Sequence, residues 1–273
     1  MANNLLKGKK GIIFGALNDM SIAWKVAERA HEEGAEFVLT NAPVAMRMGE
    51  INELAKQCGN AKVIPADATS VEDLENLIQG AMDHLGGKLD FILHSIGMSP
   101  NVRKGKTYMD INYSWYEKTL DVSAISLHKT LSTARNLDAM NEWGSVVALT
   151  YIAAQRIFPD YGDMADAKSL LESITRGFGF HYGKEKKIRV NTISQSPTMT
   201  TAGSGVGGFD QFLSYAESLS PLGNAPAVAC ADYCISMFSD LTRYVTMQNL
   251  FHDGGFSSTG VSWELLDLLK DEK

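Results

Sequence analysis

The sequence predicts a doubly wound α/β fold, with seven parallel strands and helices on both faces. Three observations predict it. Short apolar runs alternate with amphipathic helical stretches from one end of the chain to the other, the order that builds a parallel sheet covered on both sides. With 273 residues, 45% of them hydrophobic, the chain is long enough for a large core. No internal repeat, low-complexity tract or linker interrupts the series, so residues 1–273 are expected to form a single domain of this Rossmann-like kind.

The elements follow in order. GIIFG precedes a helix over 21–33, EFVLT one over 44–58, KVIPA one over 70–84, and LDFILHS a long helical segment ending near 134. SVVALT then leads to a helix from about 161 to 182, IRVNTIS to a helix near 226–239, and MQNLFHDGG supplies the seventh strand. One stretch breaks the rhythm. TTAGSGVGGFDQF, residues 200–212, holds four glycines, Gly203, Gly205, Gly207 and Gly208, a density that predicts a mobile loop over a substrate site.

Composition excludes several classes. No apolar run approaches the ~20 residues of a membrane span, and the opening MANNLLKGKK lacks the apolar core of a signal peptide, so a cytoplasmic protein is expected. Cys58 stands alone, while Cys230 and Cys234 lie i,i+4 on a predicted helix, a spacing read as buried thiols rather than a metal site. The formal net charge of -7 argues against nucleic acid as a partner.

The chemistry concentrates in TYIAAQRIFPDYGDMADAK, which carries Tyr151, Tyr161 and Lys168. If a helix runs from 161 onward, Tyr161 and Lys168 stand two turns apart on one face and point into one pocket. A phenol that donates a proton beside a cation that holds a ribose is reductase chemistry. After the first strand comes GALNDMSIAWKVAERA, in which Gly15 is the sole glycine and Ser21 is placed to cap the next helix. This is not the usual G-x-G-x-x-G turn. By itself the segment reads equally as a capped helix or as a pyrophosphate site. Asp67, in PADAT, is open in the same way between accepting from an adenine amino group and capping a helix. HSIGM places Ser95, Ile96 and Gly97 at the carboxyl edge of the sheet, where open α/β folds bind ligands. His94 is read as structural and left out of the mechanism.

Together, GALNDMSIA, HSIG, the Tyr151/Tyr161/Lys168 set, RVNTIS followed by Pro197, and DGGF resemble the enoyl-acyl-carrier-protein reductases of the FabI type, within the short-chain dehydrogenase/reductase superfamily. A tyrosine and a lysine with six residues between them are specific, because the wider superfamily mostly uses three. The resemblance implies reduction of a trans-2-enoyl thioester, with hydride delivered to C3, NADH as cofactor with NADPH left open, acyl carrier protein as partner, and a homotetramer. It assigns Tyr161 to the enolate oxygen and Lys168 to the nicotinamide ribose. Tyr151 stands as the family's second tyrosine, its part either chemical or pocket-shaping. Gly15, Ser21, Ile22, Asp67, Ala68, Ile96, Thr198, Met199, Thr200, Thr201 and Ala202 fall on cofactor positions; Met98, Ser99, Met164 and Phe209 fall on the acyl pocket.

The chain departs from the pattern in three places. Ser196 stands before Pro197 where the superfamily commonly has glycine, and LTNAPVAMR offers no acidic residue for a ribose 2'-hydroxyl but has Arg47 close by. GVGGFDQF lacks the basic residues that relatives often present to the acidic carrier; Arg103, Lys104 and Lys106 in NVRKGK either replace them or are solvated surface charge. Two other functions remain open. A 3-ketoacyl (carbonyl) reductase needs a tyrosine and lysine separated by three residues, which Tyr182 and Lys186 satisfy, although HYGKEKK reads as a charged turn away from the reactive edge. A non-catalytic dinucleotide sensor is the other; Tyr161 and Lys168 speak against it.

Overall fold

The computed structural model describes residues 3–47, 50–200 and 209–268. Strand β1 (Lys10–Phe14) is followed by helix α1 (Ile22–Glu32), β2 (Glu36–Thr40), the short α2 (Pro43–Met46), α3 (Ile51–Gln57), β3 (Lys62–Val63), α4 (Val71–Leu85) and β4 (Leu89–His94). Helices α5 (Pro100–Arg103) and α6 (Tyr113–Leu120) come next, and α6 runs through a widened turn at Asp121–Ile125 into α7 (Ser126–Asn136). Then come β5 (Met140–Thr150), α8 (Met164–Lys186), β6 (Arg189–Gln195), α9 (Phe209–Leu219), α10 (Ala227–Phe238), β7 (Asn249–His252) and α11 (Trp263–Leu268). The seven strands are all parallel and ordered β3-β2-β1-β4-β5-β6-β7. The order reverses between β1 and β4, so a crevice opens beyond their carboxyl ends.

Neighbouring strand residues go to opposite faces, both covered by helices, which is why adjacent residues such as Ile12 and Ile13 of β1 are both apolar and buried. Ile13 and Leu39 join Trp24, Val26, Leu54, Cys230, Cys234 and Phe238 under α1, α3 and α10, whereas Ile12, Phe14 and Val38 meet Leu74, Leu77, Leu127, Leu131 and Leu171 under α4, α7 and α8. Each such aliphatic side chain removed from water contributes about 1.5–3 kcal/mol. The buried Arg189 closes the end of α10, its guanidinium donating to the carbonyls of Met237 (2.9 Å), Ser239 (3.2 Å) and Thr242 (3.0 Å). A cation there meets the negative end of the helix dipole.

Several boundaries differ from the sequence expectation. The helix expected over 161–182 is α8, Met164–Lys186, because Gly162 holds φ +49° and breaks the chain out of the preceding 3-10 turn, Pro159–Tyr161. Its charged tail is therefore helix, not a turn. Tyr182 is 2% exposed with its hydroxyl donated to the Leu131 carbonyl, and Lys186 pairs with Asp138, so this second tyrosine–lysine pair is committed elsewhere. Residues 209–212, expected to end a glycine-rich loop, form the first turn of α9; 201–208 lie outside the described residues. Strand β5 begins at Met140, five residues before SVVALT, with a register shift opposite Leu89/Phe91.

Candidate active site

Gly15 fixes the first wall of the crevice. Its φ of +94° belongs to the left-handed region, and a Cβ there would lie 2.0 Å from the Ser95 carbonyl oxygen. No other residue fits that approach of the β1 and β4 ends. Ser21 precedes α1, yet it does not cap the helix: its Oγ accepts from the amides of Leu17 (3.1 Å) and Asn18 (3.2 Å) and donates to the Asn18 carbonyl. Its hydroxyl shapes the 15–21 turn, and the first turn of α1 has no side-chain cap bond from it. Ile22 packs against the core below. In the loop between β3 and α4, Asp67 is exposed, and its Oδ1 accepts from both the amide and hydroxyl of Thr69. Ser70, not Asp67, caps α4, accepting from the Asp73 amide at 3.2 Å. Ala68 and Ile96 back this wall from the α4 side.

Lys168 enters from α8. It is 7% exposed, and its Nζ donates to the Leu149 carbonyl at 2.8 Å. A Cβ on Gly97 would lie 3.6 Å from that Nζ and 3.4 Å from Met164 Cε, ordinary contact distances that place the lysine beside the segment following β4. Burial pulls the ammonium down to about 8, opposed by the charge of Glu172. Glu172, one turn further along α8, is itself buried; its carboxylate accepts from Thr150 (3.0 Å), Asn249 (3.1 Å) and Gln155 (3.1 Å), and burial raises its pKa. Sequence reasoning passed over it. The available signal was an acid at i+4 from the lysine.

Tyr161 ends its 3-10 turn with its ring centroid 5.1 Å from that of Tyr151. Its hydroxyl forms no hydrogen bond among the described residues, and burial pushes the phenol well above its usual range, which keeps it a proton donor at neutral pH. Tyr151 follows β5 and is 8% exposed. Its hydroxyl is buried with no partner among the described residues, and burial, then Tyr161, then Asp253 raise its pKa. A buried phenol left unpaired costs about 1–3 kcal/mol. Such an atom marks a place made for a ligand oxygen.

Aromatic rings pack around Tyr151. Phe158 and Phe212 lie 5.5 Å and 6.0 Å from Tyr151, centroid to centroid, and Phe256 lies 6.1 Å from Phe158. From α9, then, it is Phe212 that meets Tyr151, where Phe209 was expected to line the site. The missed signal was helical spacing, three residues on. Met164 opens α8, 8% exposed, with Ser123 Oγ 3.7 Å from its sulfur, and the Met98 backbone is held at both ends by Ser123 Oγ. Ser99 was expected on the pocket surface but is 3% exposed, its hydroxyl donating to Asp163 at 2.6 Å and accepting from the Val102 amide. Its hydroxyl is committed to protein partners.

Beyond β6, Ser196 Oγ accepts from the Ala225 amide (3.0 Å), a tie that glycine would not make, while Thr198 Oγ1 donates to the Ser196 carbonyl. Met199 is exposed and Thr200 ends the described segment; Thr201 and Ala202 lie outside the described residues. His94 is fully buried and kept neutral, its pKa pushed to about 3 by burial and then by Lys168. Since Ser126 gives its proton to the Val122 carbonyl, His94 Nε2–H donates to Ser126 at 2.9 Å, a structural bond.

A phenol and an ammonium at the carboxyl edge of a doubly wound sheet, with Gly15 at the switch point, define a dinucleotide-dependent reductase of the short-chain type. Comparison with known proteins narrows the class. The family model for enoyl-(acyl carrier protein) reductase matches residues 15–257. The NADH-dependent enoyl-[acyl-carrier-protein] reductase FabI of Rickettsia bellii is 34% identical over 95% of this chain and 98% of its own, and the corresponding reductase 1 of Rhizobium meliloti is 32% identical over 95% and 94%. The crystal structure of a FabI–NADH complex from Alistipes finegoldii superposes with a TM-score of 0.94 at 68% identity, covering 95% of this chain and 91% of that one. The chain belongs to the enoyl-acyl-carrier-protein reductase family, FabI type, of the short-chain dehydrogenase/reductase superfamily.

Proposed function

We infer that the chain is an NADH-dependent enoyl-acyl-carrier-protein reductase, reducing the C2–C3 double bond of trans-2-enoyl thioesters. The observation that carries the reading is the buried Tyr151 phenol, without a partner among the described residues, packed at a tilt against Tyr161 in an aromatic cluster. The residues present fit the cofactor: Gly15 leaves room at the crevice, Ser21 shapes the turn before α1, the exposed Asp67 would take the adenine, and Lys168 would take the ribose. NADH, when bound, supplies the hydride that adds to C3. Tyr161 would donate a hydrogen bond to the thioester oxygen as negative charge grows there, stabilising charge absent from the ground state, and a proton taken up at C2 from water completes the reduction. Lys168 holds the ribose hydroxyls and adds positive potential. Tyr151 offers a second donor in the same wall. Phe158, Phe212 and Met164 exclude water around the acyl chain.

Purified protein with NADH is expected to oxidise the cofactor with crotonyl thioesters and to leave a 3-ketoacyl thioester untouched, read at about 340 nm. The opposite preference would make it the carbonyl reductase, and turnover of neither would leave a dinucleotide sensor.

Substrate arrives on acyl carrier protein, and Arg103, Lys104 and Lys106 are our choice for its dock. All three are exposed just past the Met98 wall, and none joins an ion pair among the described residues. Reversing the three charges to glutamate is expected to raise KM for an enoyl-carrier substrate roughly tenfold, as lost steering does, while KM for the coenzyme A thioester stays put. Equal change for both substrates would move the dock elsewhere. The family resemblance further supports a single reductase domain, a place in fatty acid biosynthesis, a homotetramer and residence in the cytoplasm.

A further inference from the structure

Asp163 lies two residues after Tyr161 and five before Lys168 with its side chain fully buried. Its carboxylate accepts from Ser99 Oγ (2.6 Å), Asn101 Nδ2 (2.8 Å) and Thr119 Oγ1 (2.9 Å), and it joins no ion pair among the described residues. A carboxylate taken out of water and given only neutral donors is a costly way to fill space, and apolar residues of the same volume would pack there at less cost. What it does is tie three segments at one point: the loop after β4 that carries Gly97 and Met98, helix α6, and the start of α8. Between it and Tyr161 stands Gly162, at φ +49° and ψ -135°, with a Cβ position 3.4 Å from Val102 Cγ2. The chain therefore pivots at Gly162, with the phenol on one side and this anchor on the other. Sideways motion of either segment would shift Tyr161 against the pocket wall.

We propose that Asp163 is a positioning residue, whose triply bonded carboxylate fixes the Tyr161 phenol relative to the Gly97–Met98 wall. The proposal rests on the enoyl-reductase reading for its kinetic consequence but not for its geometric one. It touches neither cofactor nor substrate, so its removal separates two quantities that general unfolding would lower together.

The test compares wild type, D163N, S99A and the exchange pair D163N/N101D. Asp163→Asn keeps the shape but turns one oxygen into a donor facing Asn101 and Thr119. With crotonyl thioester, kcat is expected to fall by ~10- to ~100-fold, the size of a misplacement of about 1 Å. NADH affinity by fluorescence titration should stay within about twofold, because the pivot holds no cofactor contact. Adding N101D should restore part of the loss, since the amide introduced at 163 then faces a carboxylate. S99A removes one of the three bonds and should give the same split at smaller size, which keeps the test open if D163N folds poorly. Wild-type kcat in D163N, or a parallel loss of kcat and NADH affinity in S99A, overturns the proposal. Inactivity of wild type toward every enoyl thioester would count against the function and not against the pivot. In that event the crystal structure of D163N with NADH decides: a Tyr161 ring displaced from its 5.1 Å contact with Tyr151 upholds the proposal, and an unmoved ring refutes it.

Discussion

Replacing Tyr161 by phenylalanine is expected to lower kcat by ~10²- to ~10³-fold, about 3–4 kcal/mol, while the NADH dissociation constant stays within about twofold. The size follows from what the hydroxyl does. Nothing in the resting protein uses it, because it makes no hydrogen bond among the described residues, so its removal costs little in folding or in cofactor binding. In the proposed transition state it would face an oxygen acquiring charge beside Phe158 and Phe212, where a low local dielectric strengthens each donor. Burial raises the Tyr161 pKa far enough that the phenol stays protonated through neutral pH. Loss of its proton therefore does not shape the pH profile below about pH 10, the ordinary tyrosine range. Steady-state kinetics and a fluorescence titration on the same preparation check the claim. A Tyr161→Phe enzyme that kept its kcat would transfer the donor's part to Tyr151, whose buried hydroxyl is just as free of protein partners.

Much of this site is legible in the chain because its parts lie at strand ends, and parallel strands announce themselves as apolar runs. Ile12, Ile13 and Phe14, or Val146, Val147 and Ala148, are buried on both faces and have no polar alternation to hide them. The Tyr161–Lys168 spacing is likewise legible, though for a different geometry than helical periodicity implies. Gly162 takes Tyr161 out of the helix, so the two residues stand on either side of a bend and not two turns apart on one face. The charged end of α8 reads as a turn because Glu185 and Lys186 look like solvent; in space Arg135 and Asp138 pair with them from the neighbouring α7 end. Ser21 and Ser99 illustrate the reverse limit. Residue type identifies each as a hydrogen-bonding hydroxyl, but only the fold decides whether it faces a ligand or its own backbone. Asp163 and Glu172 stay silent in sequence for the same reason, since their donors come from segments between 17 and 77 residues away.

Lys168→Ala is expected to damage both binding and turnover, and this distinguishes it from the tyrosine. A charged hydrogen-bond donor contributes about 1.5–3 kcal/mol, so NADH affinity should weaken ~10- to ~150-fold, with a further fall in kcat as the positive potential near the thioester oxygen is lost. The protein should also lose stability. Removal of the ammonium leaves the Leu149 carbonyl without its 2.8 Å donor and deprives Glu172 of the charge that partly offsets its own burial. The pH dependence separates charge from shape. With its pKa drawn down to about 8, Lys168 is protonated below that pH and neutral above it, so kcat/KM should fall as pH rises through about 8. Lys168→Arg keeps the charge at every accessible pH, and whatever activity its bulkier guanidinium allows should show no decline over that range. A wild-type profile that stays flat from pH 7 to about pH 9.5 would mean either that Lys168 keeps its proton over that range or that turnover does not depend on its charge. A decline shared by wild type and Lys168→Arg would assign the titration to another group, and the orienting role of Lys168 would then rest on the binding data alone.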